Sequence, residues 1–227
     1  IEKDYKYEIK GEIENGNVKF FKPLKNPILT NDILKISLKD SKITFIQKFN
    51  KDKTILLEGK QSINQNNFEK YVIQIIEKNK KKFIDLDFDL SETLQIPIIN
   101  YKKENKEPSN IKTKIVIDNK TYLIDQFLFK ANKSKIGIKK LKLQNDLSFK
   151  NVQKLDIKTT DQKNKINNEF SIEIGNNIEI KGKKYDATNL IKFFNKDEKE
   201  NSFKNLNKKI QINFDQISNS YDPIYKF

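Results

Sequence analysis

Apolar and polar residues alternate along this chain with a period of two, from one end to the other. The clearest stretch runs from Phe83 to Leu90, where apolar residues at every second position alternate with Asp85, Asp87 and Asp89. Successive side chains of a β-strand point to opposite faces, so the pattern is typical of a strand with one apolar face. The chain is therefore predicted to form a long amphipathic β-sheet, and its function depends on what covers the apolar face.

Turn-forming residues divide the alternation into short segments. Asn15-Gly16-Asn17 and Asp40-Ser41 predict tight reversals, as does the lysine-rich run from Lys78 to Lys82. Residues 68–78 suit either a helix or a strand, and we favour a strand because this segment is rich in β-branched residues. Sequential hairpins without helices between them point to an antiparallel meander.

One short helix is predicted near residues 187–195, with Gly182 ending the strand before it and Asp186 capping its start. The expected fold is mostly β: an extended, curved, groove-like antiparallel sheet with this one helix. We expect residues 1–227 to form a single β-rich domain or a fragment of a longer protein. Its expected parts are N-terminal hairpins (1–60), central antiparallel strands (66–182), the helix (186–195) and a final strand (208–217).

The chain is strongly basic, with 45 Lys+Arg against 31 Asp+Glu and a net charge of +14. Every basic residue is lysine, and the lysines are spread along all the predicted strands and turns. Arginine, the side chain best suited to phosphates and base edges, is absent. We therefore interpret the charge as solvated strand faces and expect no specific nucleic-acid partner.

The residue types present give little support to a catalytic function. The chain has no Cys and no His, which removes thiolate ligands, disulfides and the commonest general base. Asp85, Asp87 and Asp89 are expected about 7 Å apart on one strand face, whereas a calcium site needs oxygens that converge in a loop. We predict a solvated acidic face, no metal, no cofactor, no catalytic residue and no enzymatic activity.

Gly182, Tyr185, Asp186 and Ala187 lie together between a predicted strand and the predicted helix. This element resembles the AsmA-like family of Gram-negative bacteria, which includes the TamB and YhdP types. The stretch from Phe170 to Ile191 is similar to the end of a repeat in that family. There a strand, a glycine, an aromatic residue and an Asp-Ala pair lead into a short helix. The matching residues here are Gly182, Tyr185, Asp186 and Ala187. Leu94–Lys103 resembles the family's extended segment before a polar loop, and Thr121–Leu143 its paired strands.

The resemblance implies a non-catalytic role in phospholipid transport and outer-membrane biogenesis. Such proteins are anchored in the inner membrane, here through a segment outside this chain, and extend through the periplasm as a curved β-groove. Their apolar side shields lipid acyl chains, and a lysine-bearing rim could attract anionic headgroups. The residues that this implies for the lipid groove are Leu34, Ile36, Leu38, Ile84, Leu86, Phe88, Leu90, Ile115, Ile117, Ile178 and Ile180.

A different class of function remains open from the residues themselves. The same alternation suits a secreted or surface β-sandwich-like interaction module, in which a second sheet closes the apolar face and no lipid binds. The two hypotheses, a lipid groove and an interaction module, differ in whether the apolar face is open or sealed.

Overall fold

The computed structural model describes residues 6–24, 28–48, 52–64, 67–119, 121–190, 208–219 and 222–226. Three quarters of these residues (75%) lie in strands. The strands are β1 (Lys6–Leu24), β2 (Ile33–Lys48), β3 (Lys53–Ile63), β4 (Glu69–Lys78), β5 (Lys81–Asp89), β6 (Leu94–Ile96), β7 (Tyr101–Lys103), β8 (Ser109–Asp118), β9 (Thr121–Ala131), β10 (Ser134–Leu143), β11 (Phe149–Asn151), β12 (Lys154–Thr160), β13 (Ile166–Ile174), β14 (Ile178–Asp186), β15 (Ile210–Asn219) and β16 (Asp222–Lys226). A 3-10 turn spans Pro97–Ile99.

The strands form one large curved sheet, and this confirms the predicted mostly β, antiparallel architecture. The sheet has 14 strands in the order β1-β2-β3-β4-β5-β8-β9-β10-β12-β13-β14-β15-β16, with β11 paired to β10. Neighbours are antiparallel, except that β15 runs parallel to β14. Strands β6 and β7 pair with each other in a separate two-stranded sheet, because the segment that carries them leaves the large sheet between β5 and β8. Leu94 of β6 also forms a single antiparallel bridge with Leu29.

The ambiguous segment at 68–78 is a strand, β4, as favoured from its β-branched residues. It joins β5 through a tight turn in which Asn79 and Lys80 have φ of 51° and 61°. Positive φ at both central residues matches the right-handed twist of the paired strands. The predicted lysine-rich turn is thereby confirmed.

Two predicted tight turns are wrong. Strand β1 continues through Gly16, and β2 continues through Asp40 and Ser41. Asp40 has φ of 48°, and the β2–β3 register shifts between Lys39 and Lys42, so the turn-forming residues produce a β-bulge instead of a reversal. The bulge packs tightly on β3, since a Cβ built at Gly59 would lie 2.6 Å from Ser41 Cα.

The predicted end of the sheet is partly corrected. Gly182 does not end its strand, because β14 continues to Asp186. After it, Ala187 begins a turn in which the Leu190 N–H donates to the Ala187 carbonyl at 2.9 Å. The remainder of the predicted helix, 191–195, lies outside the described residues. Strand β15 lies at the position of the predicted final strand, but β16 follows it, so it is not the last strand.

Gly182 lies where two strands approach closely. It pairs with Phe170 of β13, and a Cβ built at this position would lie 2.5 Å from Phe170 Cα. Such a contact cannot form without moving backbone. A side chain at this position is therefore excluded by space, although the φ of Gly182 is not positive.

We expect Gly182→Ala to lower the free energy of unfolding by about 2 kcal/mol, because the added methyl group overpacks the β13–β14 pair. Urea unfolding followed by circular dichroism measures the change. Gly175→Ala is the matched control, since a Cβ there meets nothing within 4 Å. Equal stability of the two variants would contradict the close approach.

Candidate functional site: the apolar face

Strand pairing aligns the apolar residues into rows that cross the sheet at right angles to the strands. What we call the middle row has one member on each of twelve strands. Its members are Gly11, Ile43, Leu57, Ile73, Leu86, Thr113, Phe127, Ile138, Leu155, Ile172, Ile180 and Ile212. Directly paired side chains lie on the same face. One face of the sheet is therefore apolar along almost its whole length.

Two parallel rows flank the middle row on the same face. The upper row contains Gly59, Tyr71, Phe88, Ile111, Phe129, Ile136, Ile157, Phe170, Gly182 and Phe214. The lower row contains Ile9, Phe45, Ile55, Ile75, Ile84, Ile115, Ile124 and Leu141. Together the three rows define the apolar face.

The three rows differ in how far they are covered. Upper-row side chains such as Phe129, 2% exposed, are buried. Most members of the middle and lower rows are half-buried, and the rows end in the exposed residues Ile9 and Ile212, at 64% and 62%. A continuous apolar surface, formed by the middle and lower rows, thus remains accessible beside the buried upper row.

The upper row is covered by residues 90–108, which we call the strap. Leu94, Ile99 and Tyr101 of the strap join the upper row in one hydrophobic cluster. The ring of Tyr101 packs edge-on against Phe129 with 6.1 Å between centroids. Because the strap follows the upper row, it covers one side of the apolar face and leaves the other two rows uncovered among the described residues.

Buried amides hold the strap on the sheet. Asn168 is fully buried, and its Nδ2 donates to the Ile99 carbonyl at 2.7 Å and to Thr159 Oγ1 at 2.8 Å. Its Oδ1 accepts the Asp186 N–H at 2.9 Å. One side chain therefore joins the strap to β12, β13 and β14.

The Gly182–Ala187 element forms the far end of this attachment. Tyr185 packs between Phe170 and Phe214, with centroids 5.5 and 5.6 Å away, and its hydroxyl donates to the Ile98 carbonyl at 3.0 Å. Asp186 Oδ2 accepts from Asn100 Nδ2 at 2.9 Å, and its Oδ1 accepts the Thr188 N–H at 3.1 Å. The element positions the strap, which sequence reasoning did not foresee.

A buried lysine makes hydrogen bonds within the C-terminal part of the strap. Lys103 is 0% exposed, and its Nζ donates to the carbonyls of Glu107 at 2.8 Å and Glu104 at 3.3 Å. Burial lowers the pKa of Lys103, while the nearby Glu107, Glu69 and Glu92 act in the opposite direction. Its role follows from these contacts, and no local sequence pattern distinguished it from the other lysines.

The opposite face of the sheet is mixed and charged. Cross-strand pairs lie on it, including Lys112–Asp87 at 2.7 Å and Lys158–Glu169 at 3.1 Å, beside apolar residues such as Ile76. Hydrogen bonds from Lys112, and secondarily from Asn110, lower the pKa of Asp87. Asp87 and Asp89 of β5 thus bond to Asn110 of the neighbouring strand β8.

A lysine-rich cleft borders the lower row. Its volume is about 630 Å³, and it is lined by Lys48, Asp52, Lys53, Glu77, Lys78, Asn79, Lys80, Lys81 and Lys82. Lys53, Glu77 and Lys82 pair with one another in a line directly beside the lower row. Apolar surface and positive charge are therefore adjacent at this edge of the sheet.

The predicted groove residues fall at several positions on this face. Those of β5 span all three rows (Ile84, Leu86, Phe88), Ile115 lies in the lower row and Ile180 in the middle row. Leu90 is buried where the strap begins, and the others continue the face toward its margins: Ile36, Leu38, Ile117, Ile178 and the 54% exposed Leu34.

Several residues of the rows were missed. Phe127, Ile138 and Leu155 occupy consecutive positions of the middle row, and Ile73 and Ile75 belong to the segment that also suited a helix. Alternation assigns a residue to one of two faces but does not say which strands become neighbours. Extending the alternation of each strand from its turns could have identified them.

The chain matched no protein-family model, no curated protein and no solved structure. Among the described residues, no helix is long and apolar enough to cross a membrane. Within the same ranges, no group of three or more acidic residues is placed to hold a metal ion.

We expect Asn168→Ala to destabilise the protein by about 3 kcal/mol, because it leaves the Ile99 carbonyl and the Asp186 N–H without their partner. Urea unfolding measures the loss, and hydrogen exchange should show faster exchange near residues 97–101. Gln162→Ala is the control, since this exposed side chain makes one long bond of 3.4 Å to Glu104. Similar losses in both variants would argue against the anchoring role.

Alkaline pH should weaken the strap through Tyr101. Burial raises the pKa of Tyr101 to about 12, whereas the unfolded chain has the ordinary value near 10. The stability from this group is present below pH 10 and is lost as pH rises toward 12. We expect the wild type to lose about 2 kcal/mol more than Tyr101→Phe between pH 9 and pH 11.5 in urea unfolding. Parallel losses would exclude Tyr101 as the cause.

Proposed function

We propose that this protein binds lipid acyl chains along its apolar face and that it is not an enzyme. The observation that carries the proposal is the middle row, which is mostly half-buried and is apolar on ten of its twelve strands, the exceptions being Gly11 and Thr113. Such a surface is far longer than the patches that soluble monomers usually expose. An acyl chain lying along it gains about 0.8 kcal/mol for each methylene removed from water.

The arrangement of the strap supports a groove rather than a closed core. It covers the upper row with its own apolar residues. Asn168 bonds its middle to the sheet, and Glu69 of β4 bonds its beginning by accepting the Ser91 N–H at 2.9 Å. The middle and lower rows then form an open apolar surface beside the strap. An acyl chain can reach this surface from the side without unfolding the sheet.

The lysine-rich cleft supports an amphiphilic ligand. Six lysines and two acidic residues line it, directly beside the lower row. An anionic headgroup placed there would meet positive charge while its acyl chain lay on the apolar rows. We therefore favour phospholipids with anionic headgroups.

We further propose that the chain is a segment of an AsmA-like protein acting in phospholipid transport for outer-membrane biogenesis. In this proposal it stands in the periplasm and is anchored to the inner membrane through a segment outside residues 1–227. The curved antiparallel sheet supports the proposal, as does the Gly182–Ala187 element, which bonds to Ile98 and Asn100 in the middle of the strap.

The alternative is a secreted or surface interaction module whose apolar face is sealed by protein. In the described ranges the second sheet consists of β6 and β7, and these strands lie in the strap. They cover part of the upper row only. The two functions are distinguished by extracting the purified protein and measuring bound lipid by mass spectrometry.

We expect Ile75→Asp to reduce copurified lipid at least threefold, because it places a carboxylate in the lower row. Ile76→Asp is the matched control. It changes the same residue type on the same strand, with similar exposure, but on the opposite face. Mass spectrometry of lipid extracts gives the lipid-to-protein ratio, and circular dichroism checks that both variants fold.

Two results would contradict lipid binding on the apolar face. One is wild-type protein without bound lipid that also fails to take up lipid from vesicles containing phosphatidylglycerol. The other is an equal loss of lipid in both folded variants. The first result would favour the sealed interaction module.

A further inference from the structure

Strand β1 forms one edge of the sheet and has a single neighbour, β2, among the described residues. It is 19 residues long, and most of its side chains are exposed. A long unpaired edge offers a row of free backbone N–H and C=O groups to another strand. β1 therefore has the geometry of a strand that can accept a partner.

The apolar side chains of β1 are unusually exposed. Tyr7, Ile9, Val18, Phe21 and Leu24 are 60%, 64%, 53%, 109% and 50% exposed. Ile9 ends the lower row and Gly11 ends the middle row, so the apolar face reaches the edge without a charged border. The face continues to the very strand that has a free edge.

The sequence of β1 is complementary to itself in one antiparallel register. Ile9 and Gly11 pair with Phe45 and Ile43, whereas Gly16 and Val18 pair with Leu38 and Ile36, so residues from both halves reach the apolar face. Placing Ile9 opposite Val18 of a second copy also places Gly11 opposite Gly16. On the other face, the same register brings Glu8 opposite Lys19.

We propose that two copies of this chain pair through β1 in this register. The pairing brings Ile9 opposite Val18 and Glu8 opposite Lys19, each twice by symmetry, and it places Ile13 opposite Glu14 at the twofold axis. Cross-strand pairs of two apolar residues and of opposite charges are stabilising. A second copy is the partner because β1 supplies both halves of this complementarity.

The symmetry keeps the apolar face continuous. Two antiparallel edge strands are related by a twofold axis perpendicular to the sheet, and that axis leaves the same face of both copies on the same side. The lower row of one copy then meets Val18 of the other and passes on to Ile36 and Ile63. The inference does not rest on the proposed function, since the pairing forms whether or not lipid is bound.

Disulfide trapping tests the register directly, because the chain has no cysteine of its own. In the double variant Ile9→Cys/Val18→Cys, each new thiol faces its counterpart in the second copy, and mild oxidation should give a covalent dimer. In the single variants the equivalent thiols are about 30 Å apart along the strands, too far for a disulfide. We expect dimer in the double variant and little in either single variant.

Charge reversal tests the same contact without cysteine. Glu8→Lys should raise the dimer dissociation constant about tenfold in sedimentation velocity, and Glu8→Lys/Lys19→Glu should restore it. A wild type that is monomeric at all concentrations overturns the proposal. So does a dimer in which the single and double cysteine variants cross-link equally, or one that captures a strand of another protein in place of a second copy.

Discussion

Packing of the strap on the upper row is the contact on which the rest of the molecule depends. A single-layer sheet with one apolar face lacks the second layer that normally buries such a face. Here Tyr101 packs on Phe129, Tyr185 packs between two phenylalanines, and Asn168 hydrogen-bonds the strap to the strands below. These contacts provide a local core along one side of the sheet, and among the described residues the other rows have no such cover.

The overall fold could be predicted because alternation is a local property. β-branched residues at 71–76 and the Asn79 turn act over a few residues, and both predictions are confirmed. The predicted turns failed for two reasons: Asp40 and Ser41 form a β-bulge against β3, and Gly16 stays within β1, paired with Leu38 of β2. Whether such residues form a turn or stay within a strand depends on the pairing with neighbouring strands. The sequence of one strand does not specify those neighbours.

The candidate site was only partly predictable, for a related reason. Alternation placed Ile84, Leu86 and Phe88 on one face, and register later showed that they belong to three different rows. Lys103 could not be found, because a buried lysine and a surface lysine look identical in a basic chain. The sequence singled out Gly182. The reason that a glycine is required there is the close approach of Phe170, which is a contact between strands.

The parallel pairing of β15 with β14 has a consequence for the order of folding. Strands β8 to β10 and β12 to β14 each join an antiparallel neighbour close in sequence, so their hairpins can close early and locally. β15 must instead return to the start of β14 after the chain has crossed from Asp186 to Ile210. Loop-closure entropy makes that step slower. We expect β15 to dock last, and Phe214 to complete the aromatic cluster around Tyr185 only then.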